Sequence, residues 1–230
     1  MKNDNNTNSC RENKSIRAEL EDFFKNWKKL LKDGHILSIL FTGVGGQGIM
    51  LTTTIVAEAA LFDGLDVKVS EVHGMAQRGG SVIGSVRIGE KVHSPVTGYA
   101  DIIVSLEKLE ALRYINRLDA GGFIIINDFE IYPVSMYLGG MEYPEDIISR
   151  VAGHTSNYMF IRATEIAKNL NEIRVSNTVL LGSLSNFIPI KEDSWIKSIR
   201  ENAPRNAVEI NLKAFKEGRK IINGKKTINL

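Results

Sequence analysis

The sequence predicts an α/β fold: a Rossmann-like parallel or mixed sheet flanked by helices, with an N-terminal helical extension. Short Val- and Ile-rich runs recur along the chain and alternate with stretches of helical periodicity. The first of these runs passes through a glycine-rich turn directly into a helix, the opening of a β-turn-α unit. At 230 residues with 43% hydrophobic content, the chain can bury one substantial core. Charged residues make up 24% and no apolar run reaches the ~18 residues of a membrane span, so a membrane-spanning chain is excluded.

Residues 1–14 are Asn-rich and polar, too poor in apolar side chains to offset the entropy of ordering. They contain no apolar core of a signal peptide, which points to the cytoplasm. From Ser15 to Lys32, Ile16, Leu20, Phe23, Phe24, Trp27, Leu30 and Leu31 recur at helical spacing, and Asp33-Gly34 ends the pattern. The polar face of this helix carries both signs of charge, which suits docking on protein better than on a membrane. The expected organisation is therefore 1–33, a polar tail and amphipathic helix, and 34–230, one α/β domain.

Within that domain Ile36 to Thr42 reads as a buried strand and Gln47 to Phe62 as a helix stopped by Asp63-Gly64. Asp66 to Val72 reads as a second strand, and the three pieces fit a right-handed βαβ crossover in a parallel sheet. Further strands are expected at Ser81–Ile88, Ile102–Leu106, Gly122–Asn127 and Tyr158–Arg162. Helices are expected at Glu107–Leu118, Thr164–Leu170 and Ser176–Asn186, with Pro189 breaking the region and a last helix from Arg205 to Ile222.

Formal net charge is +2, and residues 1–33 carry eight Lys or Arg against six Asp or Glu, so the rest of the chain is balanced. That disfavours nucleic acid as a partner, which calls for a basic stripe or domain. Cys10 is the single cysteine, so the chain forms no internal disulfide and cannot supply the four thiolates of an iron–sulfur cluster. His35, His93 and His154 do not cluster with carboxylates in sequence, and no metal site is expected.

Gly43-Val44-Gly45-Gly46-Gln47-Gly48 satisfies G-x-G-x-x-G between a strand and a helix. There the first glycine serves the tight turn, the second lets backbone approach a phosphate, and the third brings helix and strand together. Unpaired N–H groups at the helix start favour an anion. A plain βα turn is the alternative. Glu71, at the end of the second strand, stands where a dinucleotide fold places the acidic partner of the ribose hydroxyls.

A second unusual segment follows at once. Ser70 to Ser81 gathers Gly74, Gly79 and Gly80 with His73, Gln77 and Arg78. Arg78 suits a phosphate or carboxylate, Gln77 an amide, and His73 a switchable donor, while the glycines let backbone close over a ligand or partner. Read singly, each is equally a surface ion pair, a backbone-bonded histidine or a connector.

Together, Gly-Val-Gly-Gly-Gln-Gly at 43–48 and Ser-Glu-Val-His-Gly-Met-Ala-Gln-Arg-Gly-Gly-Ser-Val at 70–82 resemble the gamma-type subunit of 2-oxoacid:ferredoxin oxidoreductases. With Ser94-Pro95, Ala100-Asp101, Glu107 to Arg113 and Asn177 to Gly182, the likeness is strongest to the beta subunit of the indolepyruvate enzyme. It runs from about Ile39 to the C-terminus and leaves out the N-terminal extension.

The resemblance implies an enzyme that decarboxylates a 2-oxoacid on thiamine pyrophosphate with magnesium. Electrons pass through iron–sulfur clusters to ferredoxin, and an acyl-coenzyme A is released. It further implies that thiamine and clusters sit in a larger partner subunit of a hetero-oligomer, with this chain noncatalytic, holding none of them alone and shaping the coenzyme A side. Carried over residue by residue, Gly43, Gly45, Gly46, Gln47 and Gly48 would face the anionic part of a ligand. Glu71, His73, Gln77, Arg78, Gly79 and Gly80 would lie at the ligand or the interface. A free-standing NAD-binding enzyme and a ligand-binding scaffold stay open as alternatives.

Overall fold

The computed structural model describes Trp27 and residues 29–71, 80–132 and 142–223, without the side chains of 222 and 223. Six strands, β1 (Leu37–Val44), β2 (Asp66–Glu71), β3 (Ser81–Gly89), β4 (Ala100–Ser105), β5 (Leu118–Asn127) and β6 (Tyr158–Ile161), form one sheet in the order β2-β3-β1-β4-β5-β6. Strands β1, β4, β5 and β6 are parallel, whereas β3 runs antiparallel between β1 and β2. The expected simple crossover is corrected here. β1 and β2 share a direction but are not neighbours, because β3 pairs along all of β1, from Leu37↔Ile88 to Val44↔Ser81.

The described helices are α1 (Ile49–Phe62), α2 (Lys108–Tyr114), α3 (Ile147–His154), α4 (Ala163–Asn169), α5 (Ser176–Leu184), α6 (Glu192–Asn202) and α7 (Val208–Asn223). Side chains alternate between sheet faces. Ile39, Phe41, Ile102, Val104 and Ile125 pack with residues of α1 and α4–α7, and Leu40, Ile103, Ile124 and Ile126 pack with residues of α2 and α3. Burial on both faces explains why these strands read as unbroken apolar runs.

Most of the expected helix over Ser15–Lys32 lies outside the described residues. Its end at Trp27 and residues 29–32 is helical, and Trp27 and Leu31 are buried in the core against the α1 face. The helix expected to reach Leu118 ends at Tyr114, continues as a 3-10 turn over Ile115–Arg117, and gives way to β5 at Leu118 rather than Gly122. Helices α3 and α6 were not expected. In α6 a mostly polar sequence hides a buried stripe that includes Trp195 and Ile199. Its start is fixed from far away, as Asp63 accepts from the Lys191 N–H at 2.8 Å and the Ser194 hydroxyl at 2.7 Å.

Helices α5 and α7 cross backbone to backbone. A Cβ on Gly182 would lie 2.1 Å from the Phe215 carbonyl oxygen, and one on Gly218 would lie 2.0 Å from that of Val179. No side chain fits at either position. This contact presses α5 into place, and α5 in turn carries Asn177 to the site described below.

Ser94-Pro95 lies in the β3–β4 loop. Arg87 donates to the Ser94 carbonyl at 2.8 Å, and Arg117 donates to the carbonyls of Thr97 and Gly98. Asp101 lies within β4 and accepts from the Ser38 N–H at 2.7 Å. Burial raises its pKa above the ordinary 3.8, and Asp119 adds to the rise. A raised carboxylate contributes stability that is full below its unfolded value and is lost as pH rises through its folded value. On melting the wild type and Asp101→Asn between pH 3.5 and 7, the variant should therefore gain relative to wild type as pH rises. A difference independent of pH would contradict this.

Candidate functional site

The chain leaves β1 toward one sheet face through α1 and leaves β4 toward the other through α2. The carboxyl ends of these two neighbouring parallel strands thus form the topological switch point, where open α/β sheets bind ligands. The turn at 43–48 sits at this point.

The turn is held from three directions. Gln47 Oε1 accepts from the Val44 N–H at 2.7 Å, and Gln47 Nε2 donates to the Leu106 carbonyl beyond β4 at 3.0 Å. The Gly45 N–H donates to the Gly80 carbonyl at 2.8 Å. From α5, Asn177 Nδ2 donates to the Gln47 carbonyl at 3.3 Å. Gln47 thus braces the turn with both ends of its amide.

The glycines divide the work differently from the expectation. Gly46 and Gly48 have φ of +101° and +82°, which side chains disfavour. Gly43 gives the close approach of helix and strand, since a Cβ there would be 2.7 Å from Gln47 Oε1 and 3.2 Å from both Ile49 and Leu106. A Cβ on Gly48 would lie 2.4 Å from Asn177 Nδ2. After Gly48, α1 starts without a side-chain cap and without an acidic residue in its first turn. Its first N–H groups have no acceptor within the helix and face the crevice end, a setting that favours an anion.

Glu71 ends β2 opposite Gly84 of β3 and accepts a hydrogen bond from the Thr53 hydroxyl of α1. Because β3 separates β2 from β1, Glu71 stands one strand farther from the turn than the ribose-binding acid of a dinucleotide fold, about 4.8 Å. That weakens the NAD reading. Gly80 is at the site through its carbonyl, whereas His73, Gln77, Arg78 and Gly79 lie outside the described residues.

The C-terminal strand ends carry a further polar network. Thr42 donates to Ser105, Ser105 to the Glu107 carbonyl, and Asn127 to the Leu106 carbonyl and to Thr164, at 2.6–3.1 Å. Leu106 therefore offers one carbonyl to two amides, Gln47 and Asn127, joining turn, β4 and β5. Asn177 and this carbonyl are the site elements that sequence reading did not single out. A polar residue opening the apolar run Asn177 to Gly182 was the available signal for Asn177.

The family model for pyruvate ferredoxin/flavodoxin oxidoreductase matches residues 38–221. The chain is 40% identical to indolepyruvate oxidoreductase subunit IorB of Pyrococcus horikoshii, over 84% of this chain and 98% of that protein. It is 28% identical to 2-oxoglutarate synthase subunit KorC of Methanothermobacter marburgensis, over 80% of this chain and 95% of that protein. The crystal structure of the gamma subunit of a keto/oxoacid ferredoxin oxidoreductase from Geobacter sulfurreducens superposes with a TM-score of 0.62 at 25% identity, covering 84% of this chain and 99% of that one. The chain belongs to the pyruvate ferredoxin/flavodoxin oxidoreductase family. Its six-stranded mixed sheet is that of the small gamma-type subunits.

Proposed function

We propose that this chain is the small, noncatalytic subunit of a 2-oxoacid:ferredoxin oxidoreductase that acts on aryl pyruvates. In that reading indole-3-pyruvate, coenzyme A and oxidised ferredoxin give indole-3-acetyl-coenzyme A, carbon dioxide and reduced ferredoxin. The observation that carries it is the 40% identity to an indolepyruvate oxidoreductase subunit across 98% of that protein, against 28% to a 2-oxoglutarate synthase subunit. Cys10 is the only cysteine, so iron–sulfur clusters belong to a larger partner, as do thiamine pyrophosphate and magnesium. Residues 1–33 are a polar tail and amphipathic helix that precede the gamma-type domain of 34–230.

Within the complex, the turn Gly43, Gly45, Gly46, Gln47 and Gly48 presents backbone N–H groups to the anionic part of coenzyme A, with Gln47 bracing it. Glu71, His73, Gln77, Arg78, Gly79 and Gly80 lie at the ligand or at the interface with the thiamine subunit. Arg78 supplies a cation for that anionic part. Co-expression with the larger subunit tests the reading: aryl-pyruvate oxidation dependent on coenzyme A should require both chains. Arg78→Ala should lower acyl-coenzyme A formation at least about tenfold while moving the melting temperature little, because the change removes a charge-assisted contact to the ligand. Unchanged turnover in the assembled complex would remove Arg78 from the site.

A further inference from the structure

Helix α2 begins with two buried carboxylates, Glu107 at 1% and Glu110 at 3% exposure, that the proposed function does not use. Glu107 caps the helix, accepting from the Glu110 N–H at 2.9 Å, and also accepts from the Ile131 N–H at 3.2 Å and from the Tyr143 hydroxyl. It thereby fixes the helix start and the direction in which Glu110 leaves it. Glu110 reaches to the neighbouring strand end, where Ser81 donates to one of its oxygens, and Arg113 Nε lies 3.2 Å from the other. Tyr114 shares the Ser81 hydroxyl at 3.1 Å.

Ser81 is the first residue of β3 and pairs with Val44, the last residue of β1. The residue before it, Gly80, offers the carbonyl that holds the Gly45 N–H. The connection from helix to turn is therefore short: Glu110 to Ser81 by a side-chain hydrogen bond, Ser81 to Gly80 by a peptide bond, Gly80 to Gly45 by a backbone hydrogen bond. Burying a carboxylate this deeply is unfavourable, and burial does raise the pKa of Glu110 despite the Ser81 and Arg113 contacts that lower it, with Glu107 adding to the rise. An apolar residue would fill the same space without that penalty. A hydrogen-bonded anchor for Ser81 is what the carboxylate adds.

We propose that Glu110 is a positioning residue for the glycine turn, acting through Ser81 and the Gly80 carbonyl to hold Gly45 in place for an anionic ligand. The inference rests on the proposed coenzyme A role for its kinetic consequence, but the linkage itself is independent of that role. Two measurements separate them.

The first is amide hydrogen exchange of residues 43–48 in the isolated chain. Ser81→Ala and Glu110→Ala should each speed exchange there about tenfold, with the double variant no faster than the quicker single one, because both break the same linkage. Glu110→Gln keeps an oxygen for Ser81 and should restore near wild-type exchange. The second is kinetics in the co-expressed complex. The KM for coenzyme A should rise about tenfold in the two alanine variants with kcat changed less than about twofold, as removal of binding common to ground and transition states predicts.

Unchanged exchange at 43–48 in Ser81→Ala, or additive effects in the double variant, would overturn the proposal. Should Glu110→Ala fail to fold, Ser81→Ala and Glu110→Gln decide it alone. Altered exchange in a complex without coenzyme A-dependent turnover would uphold the linkage and overturn the functional reading instead.

Discussion

Gly182→Ala should destabilise the protein by at least about 3 kcal/mol, lowering the melting temperature by roughly 10 °C or preventing folding. The added methyl would be 2.1 Å from the Phe215 carbonyl oxygen, 2.9 Å from its carbon and 3.0 Å from the Arg219 nitrogen. These are backbone atoms within α7, so no rotamer change relieves the overlap, and the helices must separate. Gly218 faces Val179 in the same way at 2.0 Å, so Gly218→Ala should act alike. The double variant should cost less than the sum, since the first separation already accommodates the second methyl. Denaturant melts read this directly. A loss below about 1 kcal/mol would mean that α5 and α7 do not pack as described.

Gly48→Ala is expected to act chiefly on function. Its φ of +82° imposes about 1–2 kcal/mol of strain on any side chain, and its Cβ would be 2.4 Å from Asn177 Nδ2. Asn177 is itself buried and bonded, donating to the Gln47 carbonyl and accepting from the Thr178 N–H at 2.7 Å, so it cannot withdraw without releasing the turn. Gly46→Ala supplies the comparison, with φ of +101° and no atom within 4 Å of the added carbon. Both variants should lose stability through backbone strain, but Gly48→Ala should raise the KM for coenzyme A about tenfold more than Gly46→Ala does. Gly34→Ala, strained at φ +85° in a turn before β1, should lose stability and keep its kinetics. Equal KM values across the three would separate the turn from coenzyme A.

The parts of this fold that sequence makes legible are those in which local pattern and tertiary role coincide. Strands β1, β4 and β5 are buried on both faces, so their Ile and Val runs identify them without knowledge of their neighbours. The turn at 43–48 announces itself because its glycines are required locally, by positive φ at Gly46 and Gly48 and by packing at Gly43. The antiparallel insertion of β3 is not visible in this way. A strand–helix–strand unit has the same pattern whether its two strands are adjacent or one place apart, and the choice is made by pairing along the whole of β1.

Helix α6 escaped because its packing depends on two side chains in a polar stretch and its start on Asp63, more than a hundred residues upstream. The site shows the same division. Gln47 was singled out for a ligand, yet its amide spans Val44 and Leu106, a role defined by a carbonyl 59 residues away. Asn177 and Glu110 gain their meaning only from the residues they meet across the fold. The long-range hydrogen bonds of the switch point are what a sequence pattern does not encode.

The most direct test of the central claim is isolation of the native chain from anaerobically grown cells that produce it, with mass spectrometry of co-eluting proteins and assay of thiamine diphosphate and iron. The account predicts co-elution with a larger, cysteine-rich protein carrying both cofactors, and aryl-pyruvate oxidation dependent on coenzyme A by that complex. A chain that elutes alone, without thiamine diphosphate or iron in its fractions, would contradict it.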